Sequence, residues 1–98
     1  MDIQTIAAKS KPIFEKNHVS YAAIFGSRAR GDNRPDSDVD FIVHLPKGAT
    51  LLTLARVQRE LSERLKLPVD IVTERSIRPQ LRSSISKNMK LIYDEKKR

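Results

Sequence analysis

Two aspartates, Asp38 and Asp40, stand at i and i+2 within the stretch FGSRARGDNRPDSDVDF, residues 25–41. On an extended strand alternate side chains share a face, which sets their Cβ atoms ~7 Å apart. Carboxylates so placed can converge on ions between them. Hard divalent cations such as Mg²⁺ take oxygen ligands, few of them from protein and the rest from water and phosphate. A solvated strand edge would give the same pattern without a metal. Asp70 adds a third carboxylate inside the apolar run VDIV. A charge there needs a partner, and a nearby Arg or Lys would serve. If its strand neighbours that of Asp40, the three carboxylates instead form the arrangement used in two-metal phosphoryl and nucleotidyl transfer. Upstream, Gly26-Ser27 closes one apolar run and opens a helical turn. Free N–H groups at a helix start hold phosphate, and a serine hydroxyl adds a hydrogen bond; an ordinary strand-to-helix turn reads the same way. Arg28 and Arg30 could add charge to a phosphate site, with at most one of them touching a ligand.

These residues need strands and turns to hold them. Residues 2–17 predict a helix with Ile3, Ile6, Ala7, Ile13 and Phe14 on one face, Asp2 as cap, and a kink or break at Pro12. Val19–Phe25 is short and rich in β-branched and aromatic residues, which predicts a central strand. Residues 27–31 predict one helical turn, and 32–37 (DNRPDS) a loop. Residues 38–45 predict a second strand, with Val39, Phe41, Val43 and Leu45 on one face and Asp38, Asp40, Ile42 and His44 on the other. Thr50–Lys66 predicts a capped helix with a stripe of Leu51, Leu54, Ala55, Leu61 and Leu65. A third strand over 67–73, a short helix over 77–88 carrying Leu81 and Ile85, and a last strand over 90–93 complete the pattern. The fold class expected is α/β (α+β), a small mixed β-sheet with helices packed on it.

Composition narrows the partners. The 98 residues predict one small domain, 1–98, with 95–98 a frayed basic tail. Lys and Arg number 19 against 12 Asp and Glu, a net charge of +7, which favours anionic partners. With only two Tyr, three Phe and no Trp, nucleic acid is not the expected partner. The absence of cysteine removes disulfides, zinc–thiolate sites and thiol nucleophiles. No apolar run approaches the ~20 residues of a membrane span, and no signal peptide is read at the N-terminus, so the cytoplasm is expected.

Gly-Ser, ten residues, then Asp-x-Asp resembles the signature of the DNA polymerase β-like nucleotidyltransferase superfamily. FGSRARG and PDSDVDF are similar to the minimal nucleotidyltransferases, the antitoxin half of HEPN–nucleotidyltransferase toxin–antitoxin systems, and the likeness extends over nearly the whole chain. The resemblance implies that Asp38 and Asp40 hold two Mg²⁺ ions. It implies that Asp70 completes one metal site and helps activate the attacking hydroxyl, and that Gly26 and Ser27 hold the triphosphate of ATP. AMP would pass to a hydroxyl, a tyrosine of a partner HEPN toxin, and block its RNA cleavage. That partner would form a hetero-oligomer with this chain and bring the acceptor, since a chain of this length leaves little room for an acceptor-binding domain. A binding module that neutralises its partner by occupancy, and a transferase acting on a small molecule, are the other functions weighed. Arg30-Gly31-Asp32 spells an adhesion tripeptide inside the stronger motif and is set aside. His44 reads as strand-end filler, His18 as a loop residue, and Tyr21 and Tyr93 as packing, with self-modification the other role open to Tyr93.

Overall fold

In the computed structural model, which describes residues 1–97, the elements follow in the expected order. They are α1 (Ile3–Lys16), β1 (Tyr21–Phe25), α2 (Ser27–Arg30), β2 (Val39–His44), α3 (Leu51–Leu65), β3 (Val69–Thr73), α4 (Pro79–Asn88) and β4 (Lys90–Asp94). Short 3-10 turns cover Glu74–Ser76 and Glu95–Lys97. The sheet order is β3-β2-β1-β4, with β1 antiparallel to β2 and β4. β2 and β3 run parallel, a pairing that needs a crossover connection, here α3.

Local chemistry explains the helix ends. Asp2 caps α1 by accepting from the Thr5 N–H at 2.7 Å. Thr50 and Thr53 cap α3 reciprocally, each hydroxyl accepting from the other's N–H. α1 runs as one continuous helix through Pro12, so of the two outcomes expected there the break into two helices does not occur. Pro12 and Ala8, whose carbonyl lacks its usual donor, both lie on the exposed side, where water can satisfy that carbonyl. Ile6, Ser10, Ile13 and Phe14 form the buried face of α1.

One face of the sheet carries the main core. Ala22 and Ile24 of β1, Val39, Phe41 and Val43 of β2, and Val69 and Ile71 of β3 meet α1 and α3 there. Phe14 packs edge-on to Phe41 at 5.8 Å and against Tyr93 at 5.5 Å. Tyr93 is only 7% exposed, so packing is its role and self-modification is not open to it. Across the front, Asn17 ties α1 to α3: its side-chain amide donates to Glu60 at 3.0 Å and its carbonyl accepts from Arg56 at 3.0 Å. Lys16 pairs with Glu60 beside it.

The stripe of α3 differs from expectation. Val57, Leu61 and Leu65 are buried and Leu54 packs against the core, whereas Leu51 and Leu52 are each 82% exposed and Ala55 is exposed. At 3.6 residues per turn, Leu51 and Ala55 lie roughly 80° and 120° from the Val57–Leu65 line, and Leu52 about 180°. The second face of the sheet holds the buried Ala23 and Ile42. Half-buried Ile77, Ile85 and Met89 line the small cavity over Ile42, so α4 covers only part of this face. Of the tail expected to fray, Glu95 donates its N–H to the Ser20 carbonyl at 3.0 Å, and Lys96 donates to Asp94 at 3.0 Å. Residue 98 lies outside the described residues. Among the described residues no helix is long and apolar enough to cross a membrane.

Candidate active site

The part of the second face left open by α4 carries the acidic residues. β1 and β2 pair so that Phe25 faces Asp40, and β2 and β3 pair so that Asp40 faces Asp70. Residues in register on neighbouring strands share a face and sit about 4.8 Å apart in backbone. Asp40 and Asp70, thirty positions apart in the chain, thereby stand side by side. Asp38 lies one residue before β2 and is exposed. Asp70 is exposed on an edge strand and forms no ion pair with a described residue, so the pairing with an Arg or Lys is not what holds it.

Asp40 is the half-buried centre. Burial first, then the charges of Asp70 and Asp38, push its carboxyl above the ordinary carboxylate range, with Arg30 pulling the other way. Like charges gathered at a partly dry position are unfavourable without a cation. Hard oxygen donors with that unneutralised repulsion fit a hard divalent ion. Among the described residues, no three acidic, His or Cys side chains are already drawn together tightly enough to enclose an ion. The Asp40–Asp70 pair is therefore the nucleus, and Asp38 flanks it from the loop.

Gly26 joins this group through its backbone. Its φ of 75° and ψ of −152° lie in territory that side chains avoid. A Cβ on Gly26 would overlap the Oδ2 of Asp40 and come within 3.3 Å of its Cγ. Only glycine lets the start of α2 press against the Asp40 carboxylate. Ser27 opens α2. The N–H groups of a first helical turn lack intrahelical acceptors, so those of α2 begin next to the acidic pair.

The two arginines part company. Arg28 is 4% exposed, and its guanidinium donates to the carbonyls of Met1 at 3.3 Å, Pro35 at 3.2 Å and Ser37 at 2.9 Å. Both terminal nitrogens are thus engaged within the protein, two of the three bonds going to the loop that carries the chain from α2 to Asp38, while Nε is buried without a partner. Sequence reasoning missed this function, because nothing in the local pattern distinguishes a loop-holding arginine from a ligand-holding one. Arg30 is exposed, pairs with Asp32 at 3.1 Å and remains near enough to act on Asp40. His44 stands at the far end of β2, about 13 Å from Asp40 at 3.3 Å per residue, with Glu74 at 3.7 Å and the Tyr21 ring at 5.9 Å. Burial first, and then the Glu74 carboxylate, push the Tyr21 phenol upward.

A family model described as "Polymerase beta, Nucleotidyltransferase" matches residues 8–98. A Methanocaldococcus jannaschii relative, provisionally named a protein adenylyltransferase, is 42% identical over 85 residues, which span 87% of this chain and 91% of the relative. A solved structure provisionally described as a minimal nucleotidyltransferase is 36% identical, with a TM-score of 0.76 over 91% of this chain and 94% of its own. A chain in the structure of tri-AMPylated Shewanella oneidensis HEPN toxin in complex with MNT antitoxin is 19% identical. Its TM-score of 0.72, over 96% of this chain and 74% of that one, shows the shared fold.

Proposed function

The chain belongs to the polymerase beta nucleotidyltransferase family, and from that premise we propose that it is an Mg²⁺-dependent adenylyltransferase. It moves AMP from ATP to a tyrosine hydroxyl of a partner HEPN toxin and so acts, in the cytoplasm, as an antitoxin. The observation that carries this reading is the register of Asp40 with Asp70 beside the Gly26–Ser27 turn. The relatives' names supply the class of donor and acceptor.

The chain's residues divide the work. The first turn of α2, with the Ser27 hydroxyl, holds the β- and γ-phosphates of ATP. Asp38, Asp40 and Asp70 would hold two Mg²⁺ ions, which when bound neutralise charge on the phosphates and on the attacking oxygen. Asp70, exposed at the sheet edge, helps take the proton of the incoming hydroxyl. The hydroxyl oxygen bonds to the α-phosphorus, the bridge to the β-phosphate breaks, and pyrophosphate leaves with that electron pair. No protein nucleophile takes part; the contribution is positioning and charge placement. Arg28 serves indirectly, by fixing the loop that aims Asp38.

The test is transfer of label from ATP labelled at the α-phosphate to a purified HEPN toxin, with Mg²⁺. Label on that protein, lost with Asp40→Asn and with Asp38→Asn, is the expected result. Transfer surviving both changes overturns the two-metal assignment. Full neutralisation of the toxin by the double variant with no label would make the chain an antitoxin that acts by occupancy.

A further inference from the structure

One cavity lies away from the acidic pair, and neither Asp40 nor Asp70 lines it. It has a volume of about 680 Å³ and lies at the carboxyl ends of β2 and β3, between the loop leading into α3 and the 3-10 turn leading to α4. Open α/β sheets place ligands outside the carboxyl ends of their parallel strands, and no part of the reaction described above uses this end. Val43, Leu45, Pro46, Leu51 and Leu54 give it a largely apolar wall, and Leu51 stands at the rim with 82% of its surface exposed. Three cations line it: Lys47, Arg75 and Arg82. None of them forms an ion pair with a described residue. The one acid present, Glu74, already faces His44 at 3.7 Å. The cavity also shares lining residues with its neighbours. Leu51 and Leu54 line a second hollow along α3, and Arg82 lines a third under α4.

An apolar trough edged by unpaired cations is complementary to a segment bearing apolar and acidic side chains. We propose that this cavity docks an acidic, leucine-bearing helical segment of the protein that accepts the nucleotidyl group. The proposal rests on the reading that the acceptor is a protein. Nucleic acid would also meet the cations, but single strands are held by stacking on aromatic rings, and no Phe, Tyr or Trp lines this cavity. The dock lies about 13 Å along β2 from Asp40, so it grips the acceptor without entering the chemistry.

The experiment measures fluorescence anisotropy of a synthetic helical peptide with leucines three and four residues apart and glutamates flanking them. A lysine-flanked version and a single-stranded RNA are the comparison probes. The native chain binds the acidic peptide and not the lysine version. Leu51→Ser and the pair Arg75→Glu/Arg82→Glu each weaken that binding by about tenfold or more. Both keep the native circular dichroism spectrum and a cooperative thermal melt, which shows that they are folded. No binding of the acidic peptide by the native chain overturns the proposal. So does peptide binding unchanged by the substitutions, or tighter binding of RNA that ignores Leu51→Ser. Peptide binding is read without any transfer of AMP, so failure of the transfer reaction and failure of the dock are separate results.

Discussion

Gly26→Ala tests the central contact of the site. The residue sits at φ 75° and ψ −152°, a region in which a side chain costs about 1–3 kcal/mol. Its new methyl group would also overlap the Asp40 carboxylate. A domain of this size shifts its melting temperature by about 4–8 °C per kcal/mol, so a central strain of about 2 kcal/mol lowers Tm by roughly 8–16 °C. Gly31 is the control. It too has a positive φ, 84°, but a Cβ there meets nothing within 4 Å. Gly31→Ala therefore carries backbone strain alone. The overlap is isolated by a double-mutant cycle with Asp40→Ala, which removes the offending oxygen and leaves the Asp40 Cβ at an ordinary 3.5 Å. Gly26→Ala should be less destabilising in the Asp40→Ala background by about 0.5–3 kcal/mol, and Gly31→Ala should not couple. Where Asp40 swings aside instead, the overlap shows as a displaced carboxylate, and a displacement of about 1 Å reduces label transfer by about a hundredfold. Thermal melts of the four-protein cycle, with transfer assays on Gly26→Ala, read both outcomes. Additive stabilities within about 0.5 kcal/mol, together with undiminished transfer, would refute the contact.

Three further outcomes follow from the same geometry. Asp40→Asn relieves repulsion from Asp70 and Asp38 and should raise Tm by a few degrees without divalent ions, about 0.5 kcal/mol of stability. Added Mg²⁺ should then stabilise the native chain and not the variant, and equal shifts in calorimetry would contradict a metal role for Asp40. Arg28→Met leaves carbonyls of the 32–37 loop without a donor and should cost about 2–3 kcal/mol; an unchanged urea midpoint would remove its loop-holding role. Glu60 is held below the ordinary glutamate value, chiefly by the hydrogen bond from Lys16 and then that from Asn17. A depressed folded pKa gives stability that is present above the unfolded value near 4.5 and is lost as pH falls through the folded one. Urea titrations between pH 6 and 3 should show the native chain losing more stability than Glu60→Gln, and parallel losses would contradict the pairing.

Much of this was legible in the chain. Alternation in VDFIVH places Asp40 opposite Phe41 on β2 whatever surrounds it, and capping residues such as Asp2 and Thr50 mark helix starts through bonds made within three residues. The Gly-Ser, ten-residue, Asp-x-Asp spacing is likewise a property of one continuous stretch, and it carried the family resemblance. Side-chain direction on α3 was less legible, since Leu51, Leu54 and Leu61 fit a stripe nearly as well as Leu54, Val57 and Leu61 do. The surface that α3 meets made the choice, and it left Leu51 at the rim of the cavity. Arg28 and Arg30 are equivalent as residue types two positions apart; which one is buried depends on the path of a loop whose carbonyls face it. By itself, then, the sequence determined the order of the elements, the alternating faces of the strands and the spacing of the motif, because each follows from periodicities and bonds of short range. Only the tertiary structure decided that Asp70 stands beside Asp40 and that Gly26 touches its carboxylate. Those are set by strand order and register, which come from burying one face of the whole sheet at once.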